Sequence, residues 1–163
     1  PASTLNFNIT HSGGLAVCAV GEGYALGIDV EPVDRPQLTR KLLEGLLAPP
    51  EVARLEGLDG MPLQEALVAL WTGKEAVVKA HGAGLSLPLA SFVVPAGDGE
   101  VAMTGVPGAT PAVWRLHRLH PDGRHRLALA MALSPTVPLA IEVVDATSMV
   151  SDLAAQGRAA GSA

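Results

Sequence analysis

Aromatic residues, cysteine and charged residues are all scarce in this chain of 163 amino acids. Phe, Trp and Tyr together make up 3% of the sequence, too few for the stacking surface that binds single-stranded nucleic acid. The net charge of −5 argues against a surface that coats nucleic acid, because such surfaces neutralise phosphates with Lys and Arg. No apolar run approaches the roughly 20 residues that a membrane-spanning helix needs. We therefore expect neither nucleic acid nor a membrane as a partner.

The one cysteine of the chain, Cys18, excludes an intrachain disulfide and fits a reducing compartment. It stands in the apolar run 15–20, where we expect it to act as a small buried hydrophobe. The sequence opens on PAST, with neither the basic nor the apolar region of a secretory signal. These features predict a cytoplasmic protein.

The length of the chain suits one domain with a proper core, which we assign to residues 1–145. Residues 146–163 are predicted to be a tail or a linker. From residue 151 onwards the sequence is small, polar and rich in Ala and Gly, and it has little apolar surface to bury.

Hydrophobic periodicity and turn residues predict an α+β fold, an antiparallel sheet with helices inserted after its third strand. Pro49 and Pro50 are expected to end the first helix. Strands are predicted over 5–9, 15–20, 25–31, 91–94, 101–104, 112–119, 126–133 and 139–144. Helices are predicted over 37–47, 51–58 and 63–81.

Two pairs of charged residues have a spacing that suits phosphate chemistry. Asp29 and Glu31 are two apart on a predicted strand, so both carboxylates leave the same face. Glu75 and Lys79 are four apart on a predicted helix and share one stripe. Three carboxylates on two rigid elements suit Mg²⁺, and Lys79 would add a point charge beside a phosphate. The simpler alternatives are the solvated face of a strand and a surface ion pair between Glu75 and Lys79.

A tight turn with two glycines precedes the acidic pair. His11 and Ser12 are predicted to stand on this turn, where Gly13 and Gly14 let the backbone approach a ligand closely. An imidazole can donate a hydrogen bond to a phosphate oxygen. The alternative for His11 is a polar loop residue without a ligand.

Three segments follow one another along the chain: FNITHSGG at 7–14, GIDVE at 27–31 and WTGKEAVVKAHGAGLSLPL at 71–89. In this order they resemble the 4′-phosphopantetheinyl transferase superfamily, of the larger, surfactin-synthetase-activating type, over about residues 6 to 135. The resemblance implies transfer of the phosphopantetheine arm of coenzyme A to a serine of an acyl or peptidyl carrier protein. It also implies release of 3′,5′-ADP and a requirement for Mg²⁺.

The resemblance assigns a role to each motif residue. It implies that Asp29, Glu31 and Glu75 bind Mg²⁺ and that Glu75 and Lys79 are catalytic, with Glu75 accepting the serine proton directly or through water. The residues that would bind the coenzyme A phosphates are His11, Ser12, Lys74 and Lys79. On position alone, Lys74 would be a solvated side chain.

Transferases of the larger type contain two similar halves with the active site between them, and the motifs of this chain match the second half. No residue can therefore be assigned to the contacts that the first half makes with the coenzyme A 3′-phosphate. We expect a homo-oligomer, with a trimer favoured; a domain cut from a synthase and a fragment completed by another chain are the alternatives. A neighbouring subunit would supply basic residues to the 3′-phosphate, from among Arg115, Arg118, Arg124 and Arg126.

The carrier protein is expected to dock near residues 37–58, because basic side chains cluster there in the sequence and carrier proteins are acidic. The cluster consists of Arg35, Arg40, Lys41 and Arg54. Two other functions stay open: a non-catalytic module that binds coenzyme A or a carrier protein, and a Mg²⁺ hydrolase that cleaves a nucleotide diphosphate.

Overall fold

Two antiparallel sheets and one long helix dominate the computed structural model, which describes residues 4–103, 113–133 and 140–152. The predicted α+β class is confirmed. The strands are β1 (Leu5–Ser12), β2 (Leu15–Glu22), β3 (Ala25–Pro32), β4 (Gly99–Glu100), β5 (Val113–Leu119) and β6 (His125–Leu133). The helices are α1 (Arg40–Leu43), α2 (Pro49–Ala53) and α3 (Gly60–His81), and short 3-10 turns cover Gly84–Ser86 and Leu89–Ser91.

The strands form two sheets rather than the single sheet that was predicted. β1 and β2 make a hairpin, and the other four strands lie in the order β3-β6-β5-β4. The hairpin runs along the free edge of β3, where the side-chain oxygen of Asn8 accepts a hydrogen bond from the backbone N–H of Ile28 at 3.0 Å. This side chain occupies the position of a ladder carbonyl at the edge of β3, so the hairpin contacts the edge without extending the sheet.

Helix α3 packs directly on β3, and a glycine permits the close approach. A Cβ atom on Gly27 would overlap the carbonyl oxygen of Ala76 and the amide nitrogen of Ala80. The strand backbone can therefore lie against the helix backbone at this point. The residues of β3 that follow Gly27 on the same face of the strand consequently face the last turns of α3. The helix then ends at Gly82, which adopts the left-handed conformation at φ 77°.

The four-stranded sheet has an apolar layer on each face. Leu67, Val77 and other residues of α3 pack against Leu116 and Ala128 of the sheet on one side. On the other side, Ile28 and its neighbours on β3 and β6 pack against the inward side chains of β2. Those inward residues are Leu15, Val17 and Ala19.

The predicted helix over 37–47 is wrong in extent, since only Arg40–Leu43 is helical. The expected role of Pro49 and Pro50 is also wrong: the two prolines begin α2 instead of ending the helix before it. Proline is tolerated in the first turn of a helix because the N–H groups there have no partner within the helix. The long predicted helix is confirmed, and α3 begins three residues earlier than expected.

The strands predicted over 91–94 and 101–104 reduce to one isolated bridge between Val93 and Ala102, and the edge strand lies at Gly99–Glu100 instead. The strand predicted over 139–144 is wrong for residues 140–144, which have no regular structure. Residues 104, 112 and 139 lie outside the described part of the chain. Residues 147–152 are helical and exposed, and the boundary between a domain at 1–145 and a tail at 146–163 stays a prediction.

The outer face of the β1–β2 hairpin is apolar and exposed. Leu5, Phe7, Ile9 and Val20 are between 57% and 66% exposed, and Cys18 shares their face. The expectation that Cys18 is a buried hydrophobe is therefore wrong, because alternation along β2 turns Val17 and not Cys18 toward the core. None of the helices within the described residues is long and apolar enough to cross a membrane.

Candidate functional site

The strand β3, the helix α3 and the hairpin meet at Asp29 and Lys79. The ammonium group of Lys79 donates to Oδ1 of Asp29 at 2.7 Å and to the carbonyl oxygen of Ile28 at 3.0 Å. Thr10 on β1 lies within 3.4 Å of both Lys79 Nζ and Asp29 Oδ1. The structure therefore joins two predicted site residues that are fifty positions apart in the sequence.

Asp29 is buried, with only 5% of its surface exposed. Burial raises the pKa of Asp29, because removal from water penalises the carboxylate, and the adjacent Lys79 opposes that rise. Oδ2 of Asp29 is buried and has no hydrogen-bond partner among the described residues. A buried carboxylate oxygen without a partner can accept a cation or a donor that a ligand brings.

Glu75 lies one helical turn before Lys79 and is half-buried. Burial raises its pKa, and repulsion from the negative charge of Asp29 raises it further. No ion pair or hydrogen bond joins Glu75 to Lys79 within the described ranges, because Lys79 is directed at β3. The alternative of a surface ion pair between these two residues is therefore wrong.

Glu31 is the second carboxylate of β3, and both of its oxygens have partners. Ser12 donates to Oε2 at 2.6 Å, and Arg35 forms an ion pair with Oε1. Glu31 is 9% exposed, so the alternative of a solvated strand face is wrong for Asp29 and Glu31 alike. Ser12 and Glu31 thus extend the same group of polar residues along the edge of β3.

His11 and Ser12 belong to the end of β1 and not to the turn, which consists of Gly13 and Gly14. Because successive side chains of a strand leave opposite faces, Thr10 and Ser12 face β3 while His11 is exposed on the other face. The structure therefore brings Ser12, and not His11, to the carboxylates. Alternation along β1 would have indicated Thr10, which the sequence reasoning missed.

The residues fit a metal ion only in part. Within the described residues there is no group of three His, Cys, Asp or Glu side chains that could hold a metal ion. The protein's own cations, Lys79 and Arg35, instead neutralise Asp29 and Glu31. Oδ2 of Asp29 nevertheless has no partner among the described residues, and the negative charge of Asp29 raises the pKa of the half-buried Glu75, so the two carboxyl groups are near enough to interact.

Lys74 is not solvated, and it does not lie free for a phosphate. It is 1% exposed, and its three N–H donors are used by Glu51 Oε2 at 2.6 Å and by the carbonyl oxygens of Leu89 and Phe92 at 2.7 and 2.6 Å. Burial lowers the pKa of Lys74, and Glu51 opposes that change. The sequence does not indicate that Glu51 is the buried partner of Lys74, because an acidic residue in the first turn of a helix is its only notable feature there.

Most of the basic residues that were expected to meet a carrier protein already have partners. Arg40 donates to the carbonyl oxygen of Leu55 at 2.7 Å, Arg54 to that of Val94 at 2.7 Å, and Arg35 pairs with Glu31. Within the expected cluster, only the side chain of Lys41 has no hydrogen-bond or ion-pair partner in the part of the chain that the structure describes. The predicted docking surface is therefore much less free than its charge suggests.

The basic residues proposed for the 3′-phosphate divide in the same way. Arg118 donates to the carbonyl oxygens of Ala69 and Pro95 at 2.6 and 2.9 Å, and burial lowers its pKa to about 10. Arg126 pairs with Glu65 at 3.2 Å. Among the four candidates, Arg115 and Arg124 have side chains without an intramolecular partner in the described ranges.

A family model described as the 4′-phosphopantetheinyl transferase superfamily matches residues 25–131, which include β3, α3 and most of β6. The chain belongs to this superfamily. A 4′-phosphopantetheinyl transferase of Bacillus subtilis is 34% identical over 129 residues, which are 78% of this chain and 55% of the relative. The transferase Sfp of B. subtilis strain 168 is 30% identical over 85% of this chain and 60% of its own length. The predicted superfamily and its surfactin-synthetase-activating type are thereby confirmed.

Other members of the superfamily match at similar levels. The transferase HetI of Nostoc is 33% identical over 80% of this chain and 53% of its own length. The chain thus spans between about half and three fifths of these relatives. A holo-(acyl-carrier-protein) synthase from Bacillus anthracis, solved in complex with CoA (3′,5′-ADP), has the same fold. It matches at a TM-score of 0.54 and 24% identity, over 66% of this chain and 93% of the other.

Proposed function

We propose that this phosphopantetheinyl transferase-superfamily chain moves the 4′-phosphopantetheine arm of coenzyme A to a serine of an acyl or peptidyl carrier protein in the cytoplasm. The single observation that carries the proposal is the meeting of Asp29 and Lys79, with Glu75 one turn away on the same helix. These residues combine a cation for phosphate oxygens with two carboxyl groups of raised pKa. Membership of the superfamily supports the proposed substrate class.

The reaction forms one P–O bond and breaks another. The carrier serine oxygen attacks the phosphorus on the pantetheine side of the diphosphate, the bond to the remaining phosphate breaks, and 3′,5′-ADP leaves. Such transfers depend mainly on positioning and on neutralisation of charge. Lys79, whose side chain is 29% exposed, would attract the diphosphate through its charge while it stays paired with Asp29, and the hydroxyl of Ser12 at the end of β1 can donate to the diphosphate once released from Glu31.

Glu75 is our candidate for the group that accepts the serine proton, directly or, when it also binds a metal ion, through a water molecule. A carboxyl group whose pKa is raised toward neutrality is a better general base than an ordinary one. Burial and the charge of Asp29 both act in this direction. Mg²⁺, when held by Asp29, Glu31 and Glu75, would neutralise diphosphate charge and stabilise the leaving group.

The test is mass spectrometry of apo-carrier proteins incubated with this chain, coenzyme A and Mg²⁺. We expect a mass gain of one phosphopantetheine arm on the carrier, and none in the Glu75→Gln variant or with a chelator added. Unmodified carriers of both the acyl and the peptidyl kind, together with retained coenzyme A binding, would contradict the transferase function. That outcome would instead favour a binding module, which the pairing of Asp29 and Glu31 with Lys79 and Arg35 supports.

We further propose that the chain is a homo-oligomer, with a trimer favoured. The exposed apolar face of the hairpin, which includes Phe7, Ile9 and Val20, supports this proposal because contiguous apolar surface usually marks an interface. A second copy covering this face would also bring a neighbour's surface near the β1–β2 hairpin. Light scattering at micromolar concentration should give a species larger than 16.6 kDa. Phe7→Asp should reduce its mass, whereas Met61→Asp, at an exposed position on α3, should not.

If the chain with its natural Phe7 is a monodisperse monomer that modifies a carrier at full rate, the proposed homo-oligomer is contradicted. In that case the hairpin face is free or belongs to a contact with another part of a longer polypeptide.

A further inference from the structure

A buried histidine lies directly beneath the turn that follows the His-Ser pair. His125, the first residue of β6, is 3% exposed. Its Nδ1 atom lies 2.9 Å from Oδ2 of Asp122, and its Nε2 atom is buried with no hydrogen-bond partner among the described residues. The ring is thus held from one side only, and its other end points at the turn.

Asp122 determines which nitrogen of the ring carries the proton. The hydrogen bond from His125 and the backbone N–H of Arg124 both lower the pKa of Asp122, so its carboxylate is ionised and accepts at neutral pH. The Nδ1 atom of His125 must therefore be the donor. The backbone N–H of His125 donates to the same carboxylate at 2.8 Å, which fixes the start of β6 beside the ring.

The two glycines of the turn differ in what surrounds them. A Cβ atom on Gly13 would lie 2.6 Å from Nε2 of His125 and 3.4 Å from Cβ of Pro32. A Cβ atom on Gly14 would meet nothing within 4 Å. Both residues have positive φ, at 57° and 83°, so the backbone conformation alone favours glycine at each. Only at Gly13 does a buried side chain, that of His125, also leave no space for a Cβ atom.

We propose that His125, held by Asp122, is a positioning residue for the His11–Gly14 segment. The imidazole fills the space below Gly13 and so determines how closely the turn approaches β3. Ser12 immediately precedes Gly13, and its 2.6 Å hydrogen bond to Glu31 depends on that approach. Gly14, whose open side meets no protein atom within 4 Å, is left as the glycine that a coenzyme A phosphate can approach. The proposal rests on the proposed function for its ligand, but not for its geometry.

The geometry is tested by thermal unfolding of Gly13→Ala, Gly14→Ala, His125→Asn and the double variant Gly13→Ala with His125→Asn. Asn keeps a donor for Asp122 and removes the far end of the ring, where the new methyl group would clash. Gly14→Ala is the matched control, since it introduces only the strain of a positive φ. We expect Gly13→Ala to lower the melting temperature by about 3 °C more than Gly14→Ala, and the double variant to recover most of that excess. Equal losses in the two glycine variants, or strictly additive losses in the double variant, would overturn the proposal.

Calorimetric binding of coenzyme A to the folded full chain tests the role in the site. We expect His125→Asn to weaken binding roughly tenfold, the equivalent of one hydrogen bond, without abolishing folding. Unchanged affinity in that variant would overturn the positioning role even if the melting temperatures behave as expected. If the unaltered chain does not bind coenzyme A, the proposed function fails, while the melting temperatures still decide whether His125 positions the turn.

Discussion

Lys74 and Glu51 form an ion pair that is almost completely enclosed, with 2.6 Å between Nζ and Oε2 and side chains that are 1% and 0% exposed. Glu51 also accepts the backbone N–H groups of Ala48 and Val94, each at 2.8 Å. The pair therefore joins α2, α3 and the segment before β4. Since Glu75 follows Lys74 directly, the pair also restrains the rotation of α3 that directs Glu75 and Lys79 at β3.

Removal of one partner of this pair should be far more costly than removal of both. Lys74→Met leaves Glu51 buried and unpaired, and we expect a loss of about 3–5 kcal/mol in the free energy of unfolding. Lys74→Met combined with Glu51→Gln should cost less than the single change. Urea unfolding measures both. If the folded double variant still modifies a carrier, Lys74 supports the fold; if it is stable but inactive, Lys74 contacts the substrate after all.

The three carboxylates should be needed for turnover. Asp29→Ala, Glu31→Ala and Glu75→Ala should each lower kcat/KM by more than about 10²-fold, because each would remove one of the three proposed ligands of the Mg²⁺ ion that would neutralise the diphosphate. Steady-state modification of a carrier at limiting Mg²⁺ measures the loss. Glu65→Gln is the matched control, since it removes a carboxylate from an exposed face of the same helix. Rates close to those of the unaltered chain in any two of the three variants would contradict the assignment.

Lys79 should act through its charge. Lys79→Ala should lower the rate more than Lys79→Arg, because a guanidinium group keeps the positive charge beside the phosphate. Loss of Lys79 also removes the partner of Asp29, so the pKa of Asp29 should rise further in the Ala variant than in the Arg variant. The pH dependence of the rate in both variants checks these expectations. Equal losses would indicate that Lys79 contributes by packing.

Glu75 should reduce stability at neutral pH. Burial raises its pKa in the folded state above the ordinary 4.5, so the folded chain binds more protons than the unfolded chain between the two values. Its contribution to stability is therefore present below the ordinary value and is lost as the pH rises through the folded pKa. Glu75→Gln, which cannot ionise, should be more stable than the unaltered chain above that range and equal to it in acid.

Chemical unfolding as a function of pH measures the effect of Glu75. Asp122→Asn serves as a control of opposite sign, because the pKa of Asp122 is lowered and its contribution is lost as the pH falls. A stability difference for Glu75→Gln that does not change with pH would show that the carboxyl group is not disfavoured by its surroundings.

Local sequence determined the elements that carry the site. The alternation of β3 placed Asp29 and Glu31 on one face, and the long periodic segment ending at Gly82 predicted α3 with Glu75 and Lys79 on one stripe. Both features depend on residues that are close together in the chain, and the hydrophobic periodicity of the sequence indicates which of these residues share a face. The order of the motifs was also sufficient to predict the superfamily, and the family model over residues 25–131 confirms that prediction.

Only the tertiary structure decided which charges meet. Lys79 pairs with Asp29 and not with Glu75, and Lys74 is buried against Glu51 and not solvated, because these partners come from other elements. The short α1, the separate hairpin and the exposed Cys18 depend in the same way on long-range packing. Spacing along a chain specifies the face on which a side chain lies, whereas its partner is determined by whichever element packs on that face, and here the space left by Gly27 brings α3 onto β3.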